Sequence, residues 1–105
     1  MNRYRLTPQA ENDLFEIWRY IARDNLPAAG LVEAAIFAAC AFVASVPLCG
    51  HTREDITTLP VRFWTVQPYQ RYMIVYDPVS RPVQVIRILH GARDISSLLE
   101  QGAGP

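Results

Sequence analysis

The sequence predicts a single α+β domain of order β-α-α-β-β-β-α, an antiparallel sheet packed on an N-terminal helical hairpin. Three observations predict it. The first half carries two apolar stripes at helical spacing, separated by a short break. The second half carries three runs rich in β-branched and aromatic residues, divided by short turns. No repeat or linker interrupts the 105 residues, a length typical of one domain.

The elements follow in order. Arg3 to Leu6 alternates in character and reads as a short first strand. Thr7 and Pro8 then start a helix, Thr as N-cap and Pro at the first helical position. That helix runs to about Asp24, with Ala10, Leu14, Ile17, Trp18, Ile21 and Ala22 on one stripe. Its acids come early and its arginines late, as the helix dipole favours. Asn25 to Pro27 breaks the chain. A second helix runs from about Pro27 to Val46 and ends at Pro47. On it Leu31, Ala35, Ala38, Ala39, Phe42 and Val46 recur at helical spacing. So short a break folds the two helices into an antiparallel hairpin.

Leu48 to Leu59 is polar and turn-like. Three strands are expected after it, Val61 to Gln67, Arg71 to Tyr76 and Val83 to Leu89. The turns between them are Pro68-Tyr69-Gln70 and Asp77 to Pro82. Short connections make neighbouring strands antiparallel. Asp94 is the expected N-cap of a short last helix, with Ile95, Leu98 and Leu99 on one face. Gly102 ends it, and residues 102–105 are a frayed tail. Placing both long helices on one face of the sheet satisfies every apolar stripe.

Composition narrows the function. Apolar residues are 50% of the chain and charged residues 19%, against a usual charged share of about 25%. A small domain has little interior for that excess. Either some apolar surface is meant for a partner, or the excess is the alanine of the helices, which buries little. Net charge is zero, all ten basic residues are Arg, and they are spread along the chain. That pattern argues against a domain whose main task is gripping a nucleic-acid backbone. Cys40 and Cys49 have no metal-ligand spacing and are too few for a disulfide framework. The N-terminus lacks a signal-peptide pattern. Ala34 to Val46, the longest apolar stretch, is too short to span a membrane. A reduced, cytoplasmic protein without metal or cofactor is expected.

Several segments, taken together, resemble the ParE/RelE superfamily of bacterial toxins, nearer ParE. Tyr4-Arg5-Leu6-Thr7 followed by Ala10, Asp13-Leu14 and Ile17 is similar to the family's opening. Tyr20-Ile21-Ala22 and the helix break fit, as do Pro47, Gly50 and Arg53. Val61-Arg62 and Tyr72-Met73-Ile74-Val75-Tyr76 resemble its central hairpin. Arg87-Ile88-Leu89-His90-Gly91-Ala92-Arg93-Asp94 is the most specific block. The resemblance covers nearly the whole chain. It implies the toxin of a type II toxin–antitoxin pair, held silent by a ParD-like antitoxin. The ParE branch is implied to poison DNA gyrase by binding. The RelE branch cuts messenger RNA in the ribosome, for which Arg62, Arg71, His90 and Arg93 are the candidate set. No His or Tyr follows His90 and the charge is neutral, so the resemblance favours gyrase. A scaffold that binds antitoxin with little toxicity is a third reading.

The candidate target contacts are Arg87, His90, Arg93 and Asp94. Each has a structural alternative. Arg87 in an apolar strand must be paired, either with an acid of the first helix or with a target. By alternation His90 shares a face with Ile86 and Ile88. Arg93 and Asp94 can form a salt-bridged cap. The candidate antitoxin contacts are Trp18, Ile21, Leu31, Phe42 and Trp64. Both tryptophans lie in apolar-patterned segments and are expected in the core.

Overall fold

Residues 3–91 and Asp94 are described by this computed structural model. The elements are β1 (Tyr4–Leu6), α1 (Pro8–Ala22), α2 (Leu26–Ser45), β2 (Arg62–Thr65), β3 (Tyr72–Asp77) and β4 (Val83–His90). Thr7 caps α1 as expected, its Oγ1 accepting from the Ala10 N–H at 3.1 Å. The same hydroxyl donates to the Ile86 carbonyl at 2.8 Å. One residue thus joins the end of β1, the start of α1 and the middle of β4. Asn25 restarts the chain, its side-chain oxygen accepting from the Ala28 N–H at 3.0 Å.

The sheet order is β1-β4-β3-β2. β2 and β4 pair antiparallel with β3, but β1 pairs parallel with β4, Tyr4 beside Val83 and Leu6 beside Val85. The sheet is therefore mixed, not purely antiparallel. The short-loop argument governs only strands adjacent in sequence. β1 and β4 are separated by the whole hairpin and two strands, a crossover long enough for parallel pairing.

The helices cover one face, over a core that includes Leu14, Ile17, Ile36, Val43, Ile74, Tyr76, Val85 and Ile88. α1 buries Ala10, Leu14 and Ile17 from its expected stripe. α2 does not follow its expected stripe. Its buried residues are Ala29, Val32, Ile36, Ala39, Cys40, Val43 and Ala44. Leu31, Phe42 and Val46 are 63%, 45% and 46% exposed. The physical reason is that α2 is apolar all round, so periodicity alone cannot show which side faces the core. By length and composition alone this 20-residue helix could cross a membrane. Here it packs as a core helix against α1 and the sheet.

A bulge in β4 corrects a second expectation. Val75 faces Arg87 and Tyr76 faces Val85, which leaves Ile86 as an extra residue. Side-chain parity reverses there. Val83, Val85 and Ile88 all face the helices, whereas Ile86 joins Leu89 on the opposite face. His90 therefore does not share a face with Ile86.

That opposite face has its own small core, Ile56, Val61, Phe63, Val75 and Leu89. The stretch after α2 is thus more than a polar turn, because it carries Ile56 across the sheet. Tyr76 anchors the start of this stretch. Its hydroxyl donates to the Pro47 carbonyl at 2.7 Å and accepts from the Gly50 N–H at 2.9 Å. Burial pushes this phenol up to about 12. The expected last helix and tail fall outside the described residues, apart from Gly91 and Asp94. Gly91 is already helical, so Asp94 is not the N-cap.

Two substitutions separate space from entropy. A Cβ on Gly50 would sit 2.6 Å from the Tyr76 hydroxyl and 2.9 Å from the Phe63 carbonyl, whereas one on Gly30 meets nothing within 4 Å. Gly50→Ala is expected to destabilise by about 1–3 kcal/mol. Gly30→Ala, inside α2, is expected to stabilise by about 0.5–1 kcal/mol. Urea unfolding monitored by circular dichroism measures both. The thiols should also differ. Cys40 is fully buried and burial pushes it up to about 12, while Cys49 is half-buried. A maleimide should label Cys49 in the native protein and Cys40 only on unfolding.

Candidate functional site

The Asp13 carboxylate, on the second turn of α1, joins the helix to β4. It accepts from Arg87 Nε at 2.7 Å and from Arg87 Nη2 at 3.1 Å. It also accepts from the Ile88 N–H at 3.0 Å. Asp13 is 16% and Arg87 29% exposed. Hydrogen bonding to Asp13 holds the Arg87 pKa above its ordinary value. Of the two possibilities open for Arg87, the structure supplies the ion pair with an early-helix acid.

Arg87 lies in the wall of a cavity of about 340 Å³ between α1 and the far ends of β3 and β4. Tyr20, Arg71, Tyr72, His90 and Asp94 line it too. The His90 ring stands edge-on to Tyr72, with centroids 5.6 Å apart at 86°. Its Nδ1 is buried and has no hydrogen-bond partner among the described residues. Asp94 accepts the His90 backbone N–H at 2.7 Å, reaching back to the helix start instead of capping it from outside.

The four residues of the ribonuclease reading are not brought together as a set. Arg71 and His90 line the cavity. Arg62 does not; it stands on β2 and donates to the Gly50 carbonyl at 2.8 Å and the Leu48 carbonyl at 3.3 Å. It braces the same loop start that Tyr76 anchors. Arg93 lies outside the described residues. Among the described residues no group of three His, Cys, Asp or Glu side chains is placed to hold a metal.

The second feature is an apolar groove, also of about 340 Å³, along the outer side of the helical hairpin. Leu6, Leu14, Phe15, Trp18 and Phe37 form its surface, and Glu11 and Glu33 border it. Trp18 is half-buried here and is absent from the main core, contrary to expectation. Trp64 is also half-buried, packed on the core, with Phe42 against it at 5.1 Å between centroids. Of the expected antitoxin contacts, Trp18 lines the groove, Ile21 packs against the core, Leu31 is exposed, and Phe42 and Trp64 form a separate apolar patch. Phe15 and Phe37 were missed in the sequence. Both lie off the chosen stripes, and an exposed aromatic beside a buried stripe was the available signal.

A small α+β domain with a helical hairpin on a mixed sheet and an open apolar groove is the class these features define. The same fold occurs in a solved chain from the chromosomal ParDE toxin–antitoxin system of P. aeruginosa. It matches with a TM-score of 0.70 at 20% identity, over 87% of this chain and 97% of that one. None of the curated proteins compared by sequence matches the chain. A family model described as the ParE toxin of the type II toxin–antitoxin system, parDE, matches residues 4–95. The chain belongs to the ParE toxin family.

The Asp13 hub can be tested directly. Asp13→Ala leaves the Arg87 guanidinium and the Ile88 N–H without their acceptor. A loss of about 1.5–3 kcal/mol is expected, the range for hydrogen bonds to a charged group at a part-exposed site. In a double-mutant cycle, Arg87→Met should cost much less in the Asp13→Ala background than alone.

Proposed function

We propose that this toxin arrests growth by binding DNA gyrase in the cytoplasm, and that a ParD-like antitoxin seated on the helical hairpin neutralises it. Membership of the ParE family carries this reading. Two further features support it. The open groove gives an antitoxin segment an apolar seat, and apolar side chains in a groove are how helical segments commonly dock. The ribonuclease set is also divided, because Arg62 is held by loop carbonyls away from Arg71 and His90. Mechanistically this is inhibition by association. Nothing in it needs a nucleophile, metal or cofactor from this chain. His90 and Asp94 line the polar cavity, which shares no described residue with the groove, so a target engaged there meets different side chains from the antitoxin.

One observation favours a second reading. Arg71 and His90 share a cavity, and a guanidinium beside an imidazole is a combination that can serve RNA cleavage. The target decides between the two. Purified gyrase with saturating toxin is expected to lose supercoiling activity and to accumulate cleaved DNA. Undiminished supercoiling would sink the gyrase reading. Transcripts cut at codon boundaries in arrested cells would replace it with the second.

A further inference from the structure

Glu33 is the one charged residue among the twenty of α2. It is half-buried and lines the apolar groove. Glu11 lines the same groove from the first turn of α1. The three ion pairs among the described residues are Arg19–Glu16, Arg53–Asp55 and Arg87–Asp13, so neither groove carboxylate is paired there. Glu11 has a local reason for its place, since an acid is favoured near a helix N-terminus. Glu33 has none, being well inside α2. Among the described residues no cation lines the groove.

A partner that covers Phe15, Trp18 and Phe37 takes water from both carboxylates. An ionised carboxylate moved out of water without a cation is strongly unfavourable. A purely apolar or acidic segment therefore fits the shape of the groove and fails on its charge. We infer that the antitoxin segment seated here carries a Lys or Arg among its apolar residues, placed to pair with Glu33 and, at the rim, with Glu11. This rests on the reading of the groove as the antitoxin's seat. Apolar contact supplies the bulk of the binding, and the two acids reject apolar segments of the wrong charge, so they set which antitoxin this toxin accepts.

The test uses the full chain and the product of the reading frame beside its own, with affinity measured at low and high salt. Glu33→Gln should weaken binding by about tenfold or more and flatten its salt dependence. Trp18→Ala should weaken binding and leave the salt dependence in place. Trp18→Ala weakening with Glu33→Gln neutral or tighter would overturn the acid-pair inference and leave the seat standing. Neither variant mattering would remove the seat itself. A dimer of the chain alone that Trp18→Ala dissolves would assign the groove to a second copy, which also overturns the inference.

Discussion

One carboxylate holds the two halves of this domain together. Asp13 takes the Arg87 guanidinium in a two-point contact and the Ile88 N–H besides. β1 runs beside β4 only as far as Val85, so the Ile88 N–H beyond it needs another partner. α1 provides it from the side. The contact fixes the height of α1 over β4, and Thr7 fixes its start through the Ile86 carbonyl. Between them the bulge is bracketed on both sides. The parity switch it produces allows Val85 and Ile88 to face the helices while Ile86 and Leu89 build the opposite core. The same geometry brings Arg87 into the wall of the polar cavity. A residue that looks like a functional arginine is thereby also the clamp of the fold.

Much of this was legible in the sequence, for local reasons. Thr7-Pro8 declares a helix start because its side chain and ring act within one turn, and Asn25 to Pro27 declares a break and restart. Both positions hold in the structure. The β-rich runs separated by Pro-rich turns declare β2, β3 and β4 equally well. Three features were not legible. Parallel pairing of β1 depends on a crossover whose path no local pattern records. The bulge at Ile86 sits beside the contact between Arg87 and Asp13, 74 residues apart in the chain. The buried side of α2 is undetermined because every side of it is apolar. In each case the deciding partner is distant in sequence, so short-range spacing carries no trace of it.

The candidate site shows the same division. Sequence chemistry finds Arg62, Arg71 and His90 by residue type, yet residue type does not say what each side chain already holds. Arg62 is committed to the carbonyls of Leu48 and Gly50, and these lie beside the Tyr76 anchor. Its charge serves a loop that must cross the sheet to deliver Ile56. Arg71 and His90 do meet in one cavity, because β3 and β4 pair Tyr72 with His90. Strand register decides which cationic residues become neighbours, and register depends on the bulge.

The apolar excess of the composition can now be assigned. The core takes one side of α2, and alanine accounts for part of the remainder. Leu31 and Phe42 are different, being large and open to water on the same helix, as Phe15 is on α1. Each apolar side chain left exposed forgoes roughly 1.5–3 kcal/mol of burial. A helix needed only for the core could carry polar residues on that side without loss, as α1 does with Glu16 and Arg19. α2 instead stays apolar there and carries its one charge in the groove. A fold with surplus apolar surface and a single charged marker is suited to a permanent companion more than to life as a free monomer. On the proposed reading that companion is the antitoxin seated on the helical hairpin.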